Sequence, residues 1–476
     1  MKKTVNHILV AGLLALLSLA SCTDEFIEGN YLQGVDRDKR VEVRLPFGVG
    51  RGITTTITTR AAGGEIDYDS QLSGVMAFVY EAKSDNPEEN ELLAYHLFSN
   101  PSNKPLEGAT GGWIADNDDP TCGEIKFYVP VGDVYIYLLG NAQSSFLNFF
   151  PGVSGGDALG TQAEFFEKAT PKWNGNIHSV DGYLPLTGMV NNNTGLCHVN
   201  EQGQISYTDE EGKTHILLPD GKHDEDNSFV LKRLMSKITM NIREGKGVKF
   251  TARDYTVRHI PHYVSPTAQA WTEEERDRIL VEDAKPVNFG LLDSLTFTIY
   301  LPENIRKVRS GVEITEYRQR DKVVKTADNK NTEETAPDDF HADNADNHKG
   351  HYKFEFAPKA STYIELTGWF ENADKTVAAD VRYYIHLGNF GKDLNHFSVE
   401  RDHHYTYNVT INGVDDIVVE VEDENEKTPG AEGVVFKHEA FAHIDAHFDQ
   451  VEMKFMRKDI EMVSICIPTH LSGSWG

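Results

Sequence analysis

The chain has 476 residues, enough for roughly two to three domains with sizeable cores. Its 46 Lys and Arg stand against 74 Asp and Glu, a formal net charge of −28. That balance repels nucleic acid and anionic membrane surfaces, so a nucleic-acid partner is excluded and solubility is favoured.

At the N-terminus, Lys2 and Lys3 precede an apolar run from Ile8 to Leu19. The run is too short to span a bilayer comfortably, and the pattern predicts a signal peptide over 1–21. It closes on Leu19-Ala20-Ser21-Cys22, which resembles the lipobox of bacterial lipoproteins, where small residues admit a dedicated peptidase and the cysteine is acylated. The bland alternative is an ordinary signal peptide followed by a chance cysteine. Thr23-Asp24-Glu25 is similar to a weak acidic export signal, so the expected location is the outer membrane, surface exposed, through lipid on Cys22. Later segments fall short of the roughly 20 apolar residues of a membrane helix. The remaining cysteines, Cys122, Cys197 and Cys466, have no C-x-x-C spacing and hence no zinc signature; a Cys122 to Cys197 bridge is one option in an oxidising compartment.

The next segments read as short strands with turn-rich joins. Val41, Val43, Leu45 and Phe47 alternate with Glu42, Arg44 and Pro46, the period of a strand with one buried face. Gly48 to Gly52 breaks the pattern, and the β-branched run Ile53 to Thr59 could extend it. Leu72 to Tyr80 and Ile125 to Val129 are apolar strand candidates. Gly132-Asp133 should then turn the chain into Val134 to Leu139, a buried strand paired with the one before it. A short helix is predicted over Gln162 to Ala169, and the polar stretch Asp209 to Asn227 closes a first domain.

Val230 to Ile242 opens the second half, with Leu234, Ile238, Met240 and Ile242 on one face. Thr272 and Glu275 form a capping-box pattern that predicts a surface helix to Val281. Asp321 to Gly350 is polar and reads as one long loop. Strands resume at Tyr352 to Phe356, Thr362 to Phe370, Val381 to Leu387, Tyr405 to Ile411 and Ile417 to Glu422. Many strands, few helices and no βαβ rhythm predict a mainly all-β protein of antiparallel sandwiches with a few short surface helices.

In this order the motifs resemble the fimbrillin family, the pilin-like lipoproteins of anaerobic Gram-negative bacteria. The lipobox at Cys22 precedes an N-terminal strand and then Arg60, before a strand ending in Phe78-Val79-Tyr80. Val230-Leu231-Lys232-Arg233-Leu234 is similar to the family's start of the C-terminal domain, and Glu400-Arg401-Asp402-His403-His404-Tyr405 to its Glu-Arg-Asn-x-x-Tyr approach to a late strand. The resemblance implies two transthyretin-like sandwich domains, 61–227 and 228–476, behind an N-terminal strand or propeptide at 22–60. It also implies cleavage by an arginine-specific surface protease between Arg60 and Ala61, with Arg51 the alternative, and assembly with other fimbrial subunits, self or different, in a fimbrium.

Deleting a strand from a sandwich exposes unpaired backbone groups and an apolar groove, which another strand can fill. Cutting after Arg60 would remove Val41 to Phe47; Val451, Met453 and Phe455, with Val463, Ile465 and Ile467 further on, alternate as a donor strand should. The alternative is that these are ordinary strands and nothing is cut. The ending Leu471 to Gly476 gives no clear closing strand, which fits a tip role or a shortened chain equally.

Leu184-Pro185-Leu186-Thr187-Gly188 spells a sortase signal but reads better as a turn after an extended strand. His443 and His447, with His438 nearby, are four apart but lack the Glu next to the first His that a zinc-protease helix carries, and Asp343 and Asp346 lack EF-hand spacing. Asp293-Ser294-Leu295 resembles a short O-glycosylation signal that recurs by chance. No nucleophile motif or phosphate loop is present, so no enzyme activity, cofactor or metal is expected. The rival to a fimbrial subunit is a surface glycan-binding lipoprotein that is not polymerised, using Trp113, Trp173, Trp271 or Trp369 as an aromatic platform.

Overall fold

The structure, a computed structural model, describes residues 30–31, 40–50 and most of 71–423, leaving out within that last span chiefly 149–159, 219–227, 267–279, 326–339 and 342–350. In strand β1 (Arg40–Val49) Val43, Leu45 and Phe47 are fully buried and Glu42 and Arg44 exposed, but the expected single buried face ends there, since Leu45 to Val49 are buried on both faces. It belongs to a 12-stranded sheet with β2 (Gly74–Glu81), β3 (Leu92–Ser99), β4 (Cys122–Pro130), β5 (Gly132–Gly140), β6 (Leu186–Gly188), β7 (Leu196–Val199) and β8 (Phe229–Arg233). The path through the sheet runs β3-β2-β5-β6-β8-β1-β4. Inward residues of β1 and β4 share one core with those of β2, β3 and β5: Leu45 and Phe127 lie in the same cluster as Val75, Phe98 and Ile136. The rings of Phe98 and Phe127 meet at 5.9 Å, so the sheet folds over on itself around this core.

The expected hairpin between β4 and β5 does not form: β4 pairs with β1, whereas β5 pairs with β2, β6 and β7. The joint is Val131 and Gly132, the latter at φ +123°, and it carries the chain across the core instead of back along its neighbour. Leu184 to Gly188 is likewise not a surface turn, since Leu186–Gly188 is β6, a buried strand between β5 and β8. Helix α1 (Gln162–Lys168) covers the other face of β2 and β5, where Phe165 packs on Phe78, Tyr80 and Tyr137.

The predicted single strand from Val230 to Ile242 is two. β8 stays in the first sheet, Leu234 steps out to donate to the Pro185 carbonyl, and β9 (Met235–Glu244) begins a second sheet. That sheet runs β11-β9-β14-β15, with β11 (Thr296–Pro302), β14 (His404–Ile411) and β15 (Ile417–Asp423). A further sheet includes β10 (Val248–Arg258), β12 (Tyr363–Asn372) and β13 (Ala378–His386). Even-numbered residues of β9 from Ser236 to Ile242 and odd-numbered residues of β14 are buried, so Ile238, Met240, Tyr405 and Tyr407 share a core with Tyr255, Leu366 and Ile385. Tyr255 stacks on Phe297 with ring centroids 3.9 Å apart. Among the described residues, strand pairing is antiparallel apart from β8 with β1 and β9 with β14.

The polar stretch after Asp321 is not all loop. Val323–Lys325 pairs with His351–Phe354, and Asp321 accepts bonds from the His386 backbone N–H (2.8 Å) and from Nδ1 of its ring (2.7 Å). Beside it, buried Arg320 lies over the Phe397 ring at 3.9 Å. Cys122 and Cys197 are both buried, and the disulfide between them is not made. Residues 272–279 of the predicted helix, Asp343, Asp346 and the histidines at 438, 443 and 447 lie outside the described residues, while the predicted end of that helix, Val281, is in a short strand with Glu282 that pairs with Ile260–Pro261.

Candidate strand-acceptor site

The site is the setting of β1. Along one edge it pairs antiparallel with β4 from Arg40 opposite Pro130 to Gly48 opposite Cys122. Along the other, only Phe47, Gly48 and Val49 pair, parallel, with Phe229, Val230 and Leu231 of β8. The glycine at 48 therefore does not end the strand, because it is laddered on both sides. Val49 donates to Thr121 O on the β4 side (3.0 Å) and Gly50 to Leu231 O on the β8 side (2.8 Å). Successive N–H groups alternate in direction, so the missing N–H of Pro46 falls on the β8 side, one residue before that ladder starts. Proline is tolerated here without a lost bond.

Phe47 packs edge-on to Trp113 with centroids 5.0 Å apart. Gly123 opposite it leaves the room: a Cβ there would come within 3.1 Å of Phe47 Cζ and 2.9 Å of the Ile114 carbonyl. On the outward side, Glu42 pairs with Lys126 at 3.0 Å, partly exposed and hence a small contribution. At the start of β1, Arg40 lies near His96, whose pKa burial lowers to about 4, with the charge of Arg40 adding to the effect.

The far end of β1 meets the second half of the chain. Arg233, fully buried, donates from Nη1 to the Gly50 carbonyl and to Asp402 Oδ1, both at 2.7 Å. The Arg233 backbone N–H also reaches Asp402 Oδ1, at 3.2 Å. The neighbouring Arg401 is held separately by Glu303, at 2.6 Å from Nη2, and by the Ser265 carbonyl at 2.8 Å. Sequence patterns marked the segments around Arg233 and Asp402 but gave no sign that the two meet at Gly50; 169 residues separate the partners.

Of the other predicted site residues, Cys22, Arg51, Arg60, Ala61, Val451, Met453 and Phe455 lie outside the described residues. Trp173 is buried, its indole N–H donating to the Asn176 carbonyl at 2.8 Å. Trp271 is outside the described residues. Trp369 is 40% exposed on β12, laddered between Thr251 and Asp380. Among the described residues, no group of three or more His, Cys, Asp or Glu could hold a metal ion.

A family model described as a domain of unknown function (DUF4906) matches residues 299–409, from β11 into β14. No curated protein matches the chain. Among solved structures, it is similar to the tip fimbrial protein Mfa3 of Porphyromonas gingivalis with a C-terminal truncation, at 12% identity and TM-score 0.41, over 81% of this chain and 99% of that one. A "putative cell adhesion protein" of Parabacteroides distasonis gives 10% identity and TM-score 0.41, over 80% and 96%. The fimbrial anchor protein Mfa2 of Porphyromonas gingivalis gives 9% and 0.29, over 80% and 96%.

Proposed function

We propose that the protein is an exported lipoprotein, anchored by acylated Cys22 at a Gram-negative cell surface, that serves as a fimbrial subunit with β1 as a removable plug. One observation carries this reading. β1 is a single strand whose inward side chains complete the first core, while its covalent tie to the rest of the chain runs through a segment with two arginines, Arg51 and Arg60, in small-residue surroundings. Cutting that tie by an arginine-specific protease converts an intramolecular contact into an intermolecular one. The plug then loses the effective concentration that tethering gave it, and a strand from another subunit can replace it by main-chain pairing.

The test uses the chain from Asp24 to Gly476 treated with a trypsin-like protease. The new N-terminus is expected at Ala61, with cleavage after Arg51 as the fallback, and a labelled peptide of sequence Arg40 to Gly50 should enter the cut chain only. Arg60→Ala combined with Arg51→Ala should take up no label under the same treatment. Uptake by uncut chain at the same rate would sink the plug mechanism.

A second reading, a glycan-binding surface lipoprotein, is favoured by Trp369. Its exposed indole lies beside Thr251 and Asp380, and Asp380 is held by Arg253 at 2.5 Å. An apolar ring face next to fixed polar groups suits a sugar, with its apolar face and rim of hydroxyls. Glycan-array binding that disappears in Trp369→Ala, with no fimbriae lost on gene deletion, would favour this reading over the first.

A further inference from the structure

Arg233 and Asp402 do different things to Gly50. Arg233 takes its carbonyl, a group every strand possesses, so the arginine asks only that an occupant reach this far. Asp402 faces its α-carbon: a Cβ at position 50 would lie 2.7 Å from Oδ2, and 3.5 Å from both the Leu231 carbonyl and Val230 Cγ1. A contact of 2.7 Å forces something to move, and the carboxylate has little freedom. Its Oδ1 holds Arg233 at two points, its own N–H donates to Met235 O at 3.1 Å, and its backbone is fixed at φ +59°. Swinging Oδ2 away would strain the pairing of a fully buried guanidinium, a costly change in a low-dielectric setting.

We propose that Arg233 and Asp402 form a gauge at the end of the groove, which admits a strand only when it carries glycine three residues beyond the apolar side chain that takes the place of Phe47. This rests on the strand-exchange reading above and narrows its partner. The plug satisfies the rule, with Val43, Leu45, Phe47 and Val49 on the inward face and Gly50 three residues after Phe47. This chain's own alternating segments do not. Setting Val451, Met453 and Phe455 on the three apolar sites brings Lys458 to the gauge, and Val463, Ile465 and Ile467 bring His470. The second also places Pro468 where Gly48 stands, on the β8 side, where a strand needs its N–H. The occupant is therefore a strand of a different subunit, with the pattern apolar-x-apolar-x-apolar-x-x-Gly, running in the direction of β1.

Four labelled peptides decide it, added to chain cut at Arg60 and freed of its plug: Arg40 to Gly50, the same with Gly50→Ala, Ala446 to Lys458, and the last with Lys458→Gly. The alanine peptide should bind at least about tenfold more weakly than the glycine one, and Lys458→Gly should improve its parent by a similar factor. Equal affinities within either pair overturn the gauge. Asp402→Gly in the acceptor should reduce the glycine preference to about twofold or less, and the wild-type comparison stands even if that variant folds poorly. The uncut chain supplies an independent arm: Gly50→Ala should lower the urea midpoint, and less so in the Asp402→Gly background. Additive effects there would remove the contact from the account altogether. Coupling in the uncut chain, with no peptide bound by the cut one, would instead reject strand exchange and with it the selection of a partner.

Discussion

Tyr407 and Gly388 are joined by two hydrogen bonds: the Gly388 N–H donates to the Tyr407 hydroxyl at 2.8 Å, and that hydroxyl donates to the Gly388 carbonyl at 3.1 Å. Gly388 stands at φ +130°, and a Cβ on it would run into the His396 carbonyl. A buried phenol on β14 thereby fixes the turn that follows β13. Tyr407→Phe should cost about 1–3 kcal/mol, because the buried N–H and carbonyl lose a shared partner. Tyr407→Ala adds a cavity and should cost about 3–5 kcal/mol, while Thr406→Ala on the other face should stay within about 0.5 kcal/mol. Urea unfolding of the three variants checks this, and equal losses at 406 and 407 would show that the burial of the two faces is not what holds β14.

Local periodicity accounts for what the sequence made legible. The alternation of Ile238, Met240 and Ile242 and of Tyr405 to Ile411 reflects one buried face each, that of Val43, Leu45 and Phe47 a face buried throughout beside one that is exposed only at Glu42 and Arg44, and these strands lie where the pattern puts them. Partner choice is not local. Gly132 looked like a hairpin turn because two strands flank it, yet only the core shared by Phe127 and Ile136 decides that the chain crosses instead of doubling back. Asp321 reads as the start of a polar loop, and its task of capping His386, 65 positions further on, is not visible in the local sequence. The gauge at Gly50 is hidden for the same reason, since Arg233 and Asp402 each sit beside commonplace strand residues.

Acid should destabilise the chain through histidines that their surroundings keep neutral, buried His96 and half-buried His259. Burial lowers the pKa of His96 to about 4, and it does the same to His259, where Asp283 opposes the shift without cancelling it. An unfolded histidine titrates near about 6.5, so the unfolded state binds more protons in between. The stability from keeping each ring neutral is complete above about 6.5 and is lost as pH falls to about 4, by on the order of 3 kcal/mol per residue at most. His96→Gln and His259→Gln should each flatten the fall in urea midpoint between these pH values, and the double variant should flatten it further. A slope unchanged in both would assign acid sensitivity to other groups.

The lipid anchor is a separate question from the groove. Cys22→Ala should abolish incorporation of labelled fatty acid and hold the precursor short of the outer membrane, with the folded part of the chain unaltered. Normal labelling of that variant would rule out Cys22 as the anchor and leave the surface location unsupported.

What holds the plug after cleavage should be its inward face. Leu45 is fully buried, whereas Arg44 beside it points to solvent, and both sit in the same ladder opposite β4. The two therefore share backbone bonds and differ only in what their side chains bury. Leu45→Ala removes apolar contact and opens a cavity worth about 2–5 kcal/mol, and Arg44→Ala should stay within about 0.5 kcal/mol. In the uncut chain the first loss appears as reduced overall stability, because tethering keeps the strand in place. After cleavage the same loss acts on a noncovalent complex, where each 1.4 kcal/mol is a tenfold change in affinity and shows mainly in the off-rate. The fragment carrying Leu45→Ala should accordingly leave the cut chain at least about thirtyfold faster than wild type, and the one carrying Arg44→Ala at the wild-type rate. Labelled fragment followed by fluorescence anisotropy measures both. Similar rates for the two variants would mean that main-chain pairing alone retains β1, and a replacement strand could then be chosen without regard to its inward side chains.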